Sequence, residues 1–115
     1  MEIRLIVIRT QHQEKLSVFY SQLGLQFDYH KHGNSPYHYS ATIGKTVIEL
    51  YPLAKNQVTA DSFLRLGFAI DNFDDTISLL RRNQVKFLSV PAETDFGWMA
   101  VIEDPEGRKI ELYKS

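Results

Sequence analysis

Two glutamates stand in the same four-residue setting, Ile48-Glu49-Leu50-Tyr51 and Ile110-Glu111-Leu112-Tyr113. In each, a lone carboxylate interrupts a run of strand-forming residues, so the repeat carries a polar group into two equivalent places. Side chains alternate faces along a strand. Ile48 and Leu50 therefore share one face, opposite Val47, Glu49 and Tyr51, and Ile110 and Leu112 share a face opposite Lys109, Glu111 and Tyr113. The same parity around Leu66, Phe68 and Ile70 places Arg65 on the mixed side. Two carboxylates, two tyrosines and an arginine on mixed faces suit a small polar or aromatic organic ligand. Solvated glutamates copied by duplication would give the same pattern, so residue type alone leaves both readings open.

Four histidines add to the chemistry. His38 falls on a strand that should pair with the one bearing Glu49, which would let an imidazole and a carboxylate meet and move a proton between them. His30 and His32 are spaced to share a strand face but run into Gly33-Asn34-Ser35-Pro36, a turn that argues for surface positions. For His38 and His32, a structural hydrogen bond is the alternative to a functional role. His12 precedes the first helix and reads as a solvated or capping residue. Tyr37, Tyr39 and Trp98 fit core packing or a dimer seam.

These residues need strands to hold them, and the pattern supplies two sets. Ile3 to Arg9 reads as a strand. Leu16, Phe19, Tyr20 and Leu23 then form an i, i+3, i+4, i+7 stripe that predicts a helix, with Gly24 at its C-terminal cap. Leu25 to Tyr29, Tyr37 to Ile43 and Thr46 to Tyr51 read as strands, the last two joined by a Gly44-Lys45 turn. After a polar connection the order restarts. Phe63 to Ile70 is a strand and Asp74 to Arg82 a helix, acidic at its start and basic at its end. Val85 to Val90, Gly97 to Ile102 and Lys109 to Tyr113 are strands, with Asp104-Pro105-Glu106-Gly107 as the turn before the last. The order βαβββ thus occurs twice, over residues 1–52 and 63–115, with 53–62 as the connection in a single domain.

Composition removes several function classes. Hydrophobic residues at 43% and charged residues at 23% in 115 positions describe one globular domain with a core. A formal charge of −1 argues against a nucleic-acid or anionic-membrane partner. The absence of cysteine excludes disulfides, thiolate metal sites and a cysteine nucleophile. No secretory pattern or membrane-length apolar run is present, so a cytoplasmic location is expected.

The chain resembles the vicinal oxygen chelate superfamily, which includes glyoxalase I, bleomycin-resistance proteins, fosfomycin-resistance enzymes and extradiol dioxygenases. The resemblance rests on Phe19-Tyr20-Ser21-Gln22-Leu23-Gly24-Leu25, Val47-Ile48-Glu49-Leu50-Tyr51-Pro52, Leu66-Gly67-Phe68-Ala69-Ile70-Asp71 and, most specifically, Asp104-Pro105-Glu106-Gly107-Arg108-Lys109-Ile110-Glu111-Leu112. It implies an α+β fold in which two βαβββ modules form a curved eight-stranded mixed sheet, helices on the convex side, with the site in the concavity of a homodimer. It also implies that Glu49 and Glu111 match positions that supply carboxylate ligands or a general base for a divalent metal such as Zn, Ni, Mn or Fe.

The chain departs from that pattern where relatives add a histidine or glutamine on the first strand and a histidine on the fifth. The corresponding residues are Leu5, or Arg4 in a shifted register, and Arg65. Leucine and protonated arginine do not ligate, and arginine beside glutamate forms charge-assisted pairs and repels a cation. Two readings follow. In one, Glu49 and Glu111, helped by His38, hold a metal in a glyoxalase-like lyase or isomerase or a dioxygenase. In the other, Arg65 neutralises the glutamates, and the cavity, with Arg65, Tyr51, Tyr113 and His32 as lining, sequesters a ligand without metal.

Overall fold

A computed structural model describes all residues from 1 to 115. The chain divides into two compact units, Met1–Asp61 and Ser62–Ser115. The first contains β1 (Leu5–Thr10), α1 (Gln13–Ser21), β2 (Asp28–His30), β3 (His38–Ile43) and β4 (Thr46–Pro52). Its four strands lie in the order β1-β4-β3-β2, with β1 parallel to β4 and the other pairings antiparallel. The second unit repeats this with β5 (Leu66–Ile70), α2 (Phe73–Arg82), β6 (Phe87–Thr94), β7 (Gly97–Glu103) and β8 (Lys109–Lys114). Its order is β5-β8-β7-β6, and only β5 and β8 are parallel. The fold is therefore α+β, with eight strands in two four-stranded mixed sheets and one helix per unit.

Strand alternation decides where each core sits. In β4, Ile48 and Leu50 are buried while Val47, Glu49 and Tyr51 are half-buried; in β8, Ile110 and Leu112 are buried while Glu111 and Tyr113 are half-buried. The apolar faces need covering, and the helices supply it. Helix α1 buries Leu16, Phe19 and Tyr20, the last two edge-to-face at 5.2 Å, and touches β3 and β4. Helix α2 buries Phe73, Ile77 and Leu80 and touches β8. Gly24 follows α1 at φ 107°, a backbone setting that costs a side-chain-bearing residue strain.

The element boundaries that differ most from the sequence expectation do so for local reasons. β2 pairs only from Asp28, because Leu25 turns into the core instead of entering a ladder. β5 starts at Leu66, and Phe63, read as its first residue, is almost fully exposed. β6 continues through Pro91 to Thr94. It is the edge strand of its sheet, and its register slips between Ser89↔Val101 and Ala92↔Met99, so the proline sits in a bulge where no ladder donor is needed. No helix is long and apolar enough to cross a membrane.

Candidate functional site

In the first unit, register assembles a polar cluster on the mixed face. Glu49 lies between Val7 of β1 and Ser40 of β3, and His30 of β2 lies directly across from His38 of β3. Alternation then turns His30, His38, Glu49 and Tyr51 to one side of the sheet. His38 is fully buried, and its Nε2 is 3.2 Å from Glu49 Oε2. Its Nδ1 is 2.9 Å from the Pro36 carbonyl. A carbonyl only accepts, so Nδ1 carries the proton and donates it. In that tautomer Nε2 has no proton to give Glu49, and Nε2 of both His38 and His30 is buried without a hydrogen-bond partner.

His32 completes the cluster from the turn after β2. The ring centroids of His30 and His32 are 4.6 Å apart, those of His30 and His38 4.9 Å, and those of His32 and His38 5.3 Å. Tyr51 stacks on His38 at 4.3 Å, and the Arg9 guanidinium lies 4.9 Å from the Tyr51 ring. One ligand atom from each of His30, His32, His38 and Glu49 falls within 4.8 Å of all the others. His32, exposed as expected, and His30, half-buried where a surface position was expected, thus join His38 and Glu49. Their spacing alone could not show this, because it depends on the β2–β3 register.

In the second unit, Glu111 is held on both oxygens. Arg65 Nε donates to Oε2 at 2.6 Å, and the Tyr113 hydroxyl donates to Oε1. Glu111 lies opposite Gly67, where an added Cβ would come within 3.2 Å of the Tyr113 ring. Glycine therefore lets the tyrosine lie across β5 toward Glu111. The Tyr113 bond holds the Glu111 carboxyl below its usual value; burial opposes this and Arg65 adds to it. In return, the bond to Glu111 pushes the Tyr113 hydroxyl up, with burial acting the same way.

A folded-state pKa below the unfolded one stabilises above the unfolded value and loses that contribution as pH falls through the folded value. Wild type is therefore expected to be more stable than Glu111→Gln at neutral pH. The gap should close as pH drops below the ordinary glutamate value of 4.5. Melting temperatures of the two proteins across that range check this, and a gap unchanged in acid would contradict it.

The Asp104-Pro105-Glu106-Gly107 turn positions β8 and with it Glu111. Asp104 Oδ1 accepts from the backbone N–H groups of Glu106 at 2.8 Å and Arg108 at 3.0 Å. Arg108, buried to 1% exposure, places Nη1 3.1 Å from both Asp104 Oδ2 and Glu106 Oε1. Burial works against its charge, but the bonds to Asp104 and Glu106 outweigh that and raise its pKa. Gly107 closes the turn at φ 88°. The most specific motif of the sequence is thus a structural clasp, and Arg108, given no role from sequence, is its centre.

The remaining expected residues divide between the two units. His12 is exposed; its backbone N–H bonds Thr10 Oγ1, and its side chain caps nothing. Glu49 and Glu111 belong to different units, each with its own partner, His38 for one and Arg65 with Tyr113 for the other. The opposite face of the first unit carries an open groove of about 520 Å³ lined by His12, Gln13, Glu14, Lys15, Tyr29 and Tyr39.

The chain is a duplicated βαβββ fold with a carboxylate on the last strand of each copy. The sequence profile of the Glyoxalase/Bleomycin resistance protein/Dioxygenase superfamily matches residues 2–112, and the chain belongs to that superfamily. Among solved structures it is similar to TnmS3, an antibiotic binding protein from Streptomyces sp. CB03234, at 22% identity and TM-score 0.79, covering 99% of this chain and 95% of that one. It is also similar to the oxidase ChaP-H2, at 15% identity and TM-score 0.77 over 100% and 94% of the two chains. A family enzyme from Burkholderia phytofirmans PsJN aligns at 21% identity and TM-score 0.75 over 97% of each chain. At these identities the likeness shows the fold. No curated protein matches the sequence.

The superfamily's implied metal can be tested against the residues at its positions. Glu111 is already neutralised by the guanidinium of Arg65, the residue immediately before β5. A cation there would face a fixed positive charge. The residues do not fit a metal held through Glu111.

Proposed function

We propose that this protein binds a small organic molecule without a metal at Glu111, using Arg65, Glu111 and Tyr113 as the polar anchor. The observation that carries this reading is the Arg65–Glu111 contact of 2.6 Å on a side chain that remains 48% exposed. Arg65 spends its Nε on Glu111 and leaves its terminal nitrogens available for an acceptor or anionic group on a ligand. Glu111 fixes the guanidinium plane, and Tyr113 offers an aromatic edge beside it. Such preorganisation lowers the ordering cost of binding. The antibiotic-binding description of TnmS3 supports choosing antibiotics as the first ligands to try, and the Tyr113 ring beside Arg65 favours aromatic ones among them.

Isothermal titration of a panel of aromatic antibiotics, in EDTA, tests the proposal. At least one compound is expected to bind in EDTA, and Arg65→Ala to weaken it by about tenfold or more, roughly 1.4 kcal/mol. Binding that requires added metal, or that ignores Arg65→Ala, would overturn the reading.

A further inference from the structure

We propose that His30, His32, His38 and Glu49 form a closed four-ligand site for a borderline divalent transition metal, zinc first among them, lying wholly within the first unit. It does not depend on the ligand-binding reading, which concerns residues of the second unit.

The donor set is the first argument. Three imidazoles and one carboxylate suit zinc, nickel or copper and are a poor match for magnesium or calcium, which prefer all-oxygen shells. The geometry is the second. Tetrahedral zinc with bonds of about 2.0 Å needs ligand atoms roughly 3.3 Å apart. The His38 Nε2 to Glu49 Oε2 distance of 3.2 Å already has that length, and every other separation is within 4.8 Å. His32 is exposed and sits at the end of β2, so its side chain can rotate to close the remaining edges.

Two buried nitrogens of the cluster have no hydrogen-bond partner. Buried polar nitrogens nearly always have partners. Here Nε2 of His30 and Nε2 of His38 are both buried without hydrogen bonds, beside a carboxylate of which 13% is exposed. Because His38 Nδ1 donates to the Pro36 carbonyl, the lone pair of neutral His38 lies on Nε2, the atom next to Glu49. That second hydrogen bond is the arrangement by which metal-bound histidines are oriented. With four protein ligands no position is left open, so the site is structural. It would tie β2 and the 31–37 turn to β3 and β4, adding to the His32–Ser35 bonds within the turn and the bonds from His38 and Gln13 to the Pro36 and Tyr37 carbonyls.

Tag-free protein, stripped with EDTA and dialysed, is titrated with zinc alone against a chromophoric chelator. The expected result is one equivalent bound with submicromolar affinity, as for structural zinc sites. Cobalt should give the visible bands of a tetrahedral ion, and excess magnesium should not compete. His32→Ala, at an exposed position, and Glu49→Gln should each weaken zinc by at least the roughly 10–100-fold that loss of even an outer-shell partner costs. Circular dichroism of the metal-free variants confirms that they fold. Absence of stoichiometric uptake by wild type, or uptake unchanged in folded His32→Ala, would overturn the proposal and leave the quartet as packed imidazole rings beside a carboxylate.

Discussion

Asp104→Ala is expected to lower the free energy of unfolding by about 3–5 kcal/mol, the range for breaking a buried ion pair from one side. Its carboxylate does two jobs. One oxygen meets Arg108, buried to 1% exposure, and the other accepts the backbone N–H groups of Glu106 and Arg108. Alanine removes the main counter-charge and leaves two turn donors without their acceptor. Glu106 remains near Arg108 at 3.1 Å and keeps the loss from being larger. Arg108→Met should cost less, because Asp104 would keep its two backbone bonds and the methionine would fill most of the volume. Urea unfolding of the three proteins checks the order. A loss below about 1 kcal/mol for Asp104→Ala would show that the clasp contributes little. Since the clasp sets the start of β8, it also bears on where Glu111 is presented.

His38→Ala is expected to cost on the order of 3 kcal/mol in metal-free protein, within the spread for truncating a large buried side chain. The fully buried imidazole stacks on Tyr51 at 4.3 Å and donates to the Pro36 carbonyl at 2.9 Å. Alanine would leave a cavity beneath Tyr51 and an acceptor without its donor. His32→Ala, at an exposed position, should stay within about 0.5 kcal/mol of wild type under the same conditions. Thermal unfolding in EDTA separates the two. Equal and small effects would mean that His38 is not packed as described.

Much of this architecture was legible because strand parity and helix spacing are properties of short segments. The Leu16-Phe19-Tyr20 part of the helical stripe, the Gly44-Lys45 turn and the alternation around Glu49 and Glu111 all depend on neighbours within a few residues and appear as expected, while Leu23 is buried from the turn past the end of α1. The shift of β6 past Pro91 was not legible, because a bulge on an edge strand is decided by the partner strand. The same limit applied to the site. Glu49 with His38 and Arg65 with Glu111 could be anticipated from faces and family positions. The convergence of His30 and His32 on His38 needed the β2–β3 register. Nor did the sequence show that Arg108 is buried, since a turn beside glutamates usually leaves an arginine in solvent.

The central claim is that Arg65, Glu111 and Tyr113 anchor a small organic ligand without metal. The most direct measurement is an amide NMR titration of the whole protein, in EDTA, with the tightest-binding antibiotic of the panel. The account predicts saturable shifts concentrated at residues 65–67 and 111–113. Shifts confined to the Tyr29 and Tyr39 groove, or none at all without added metal, would contradict it.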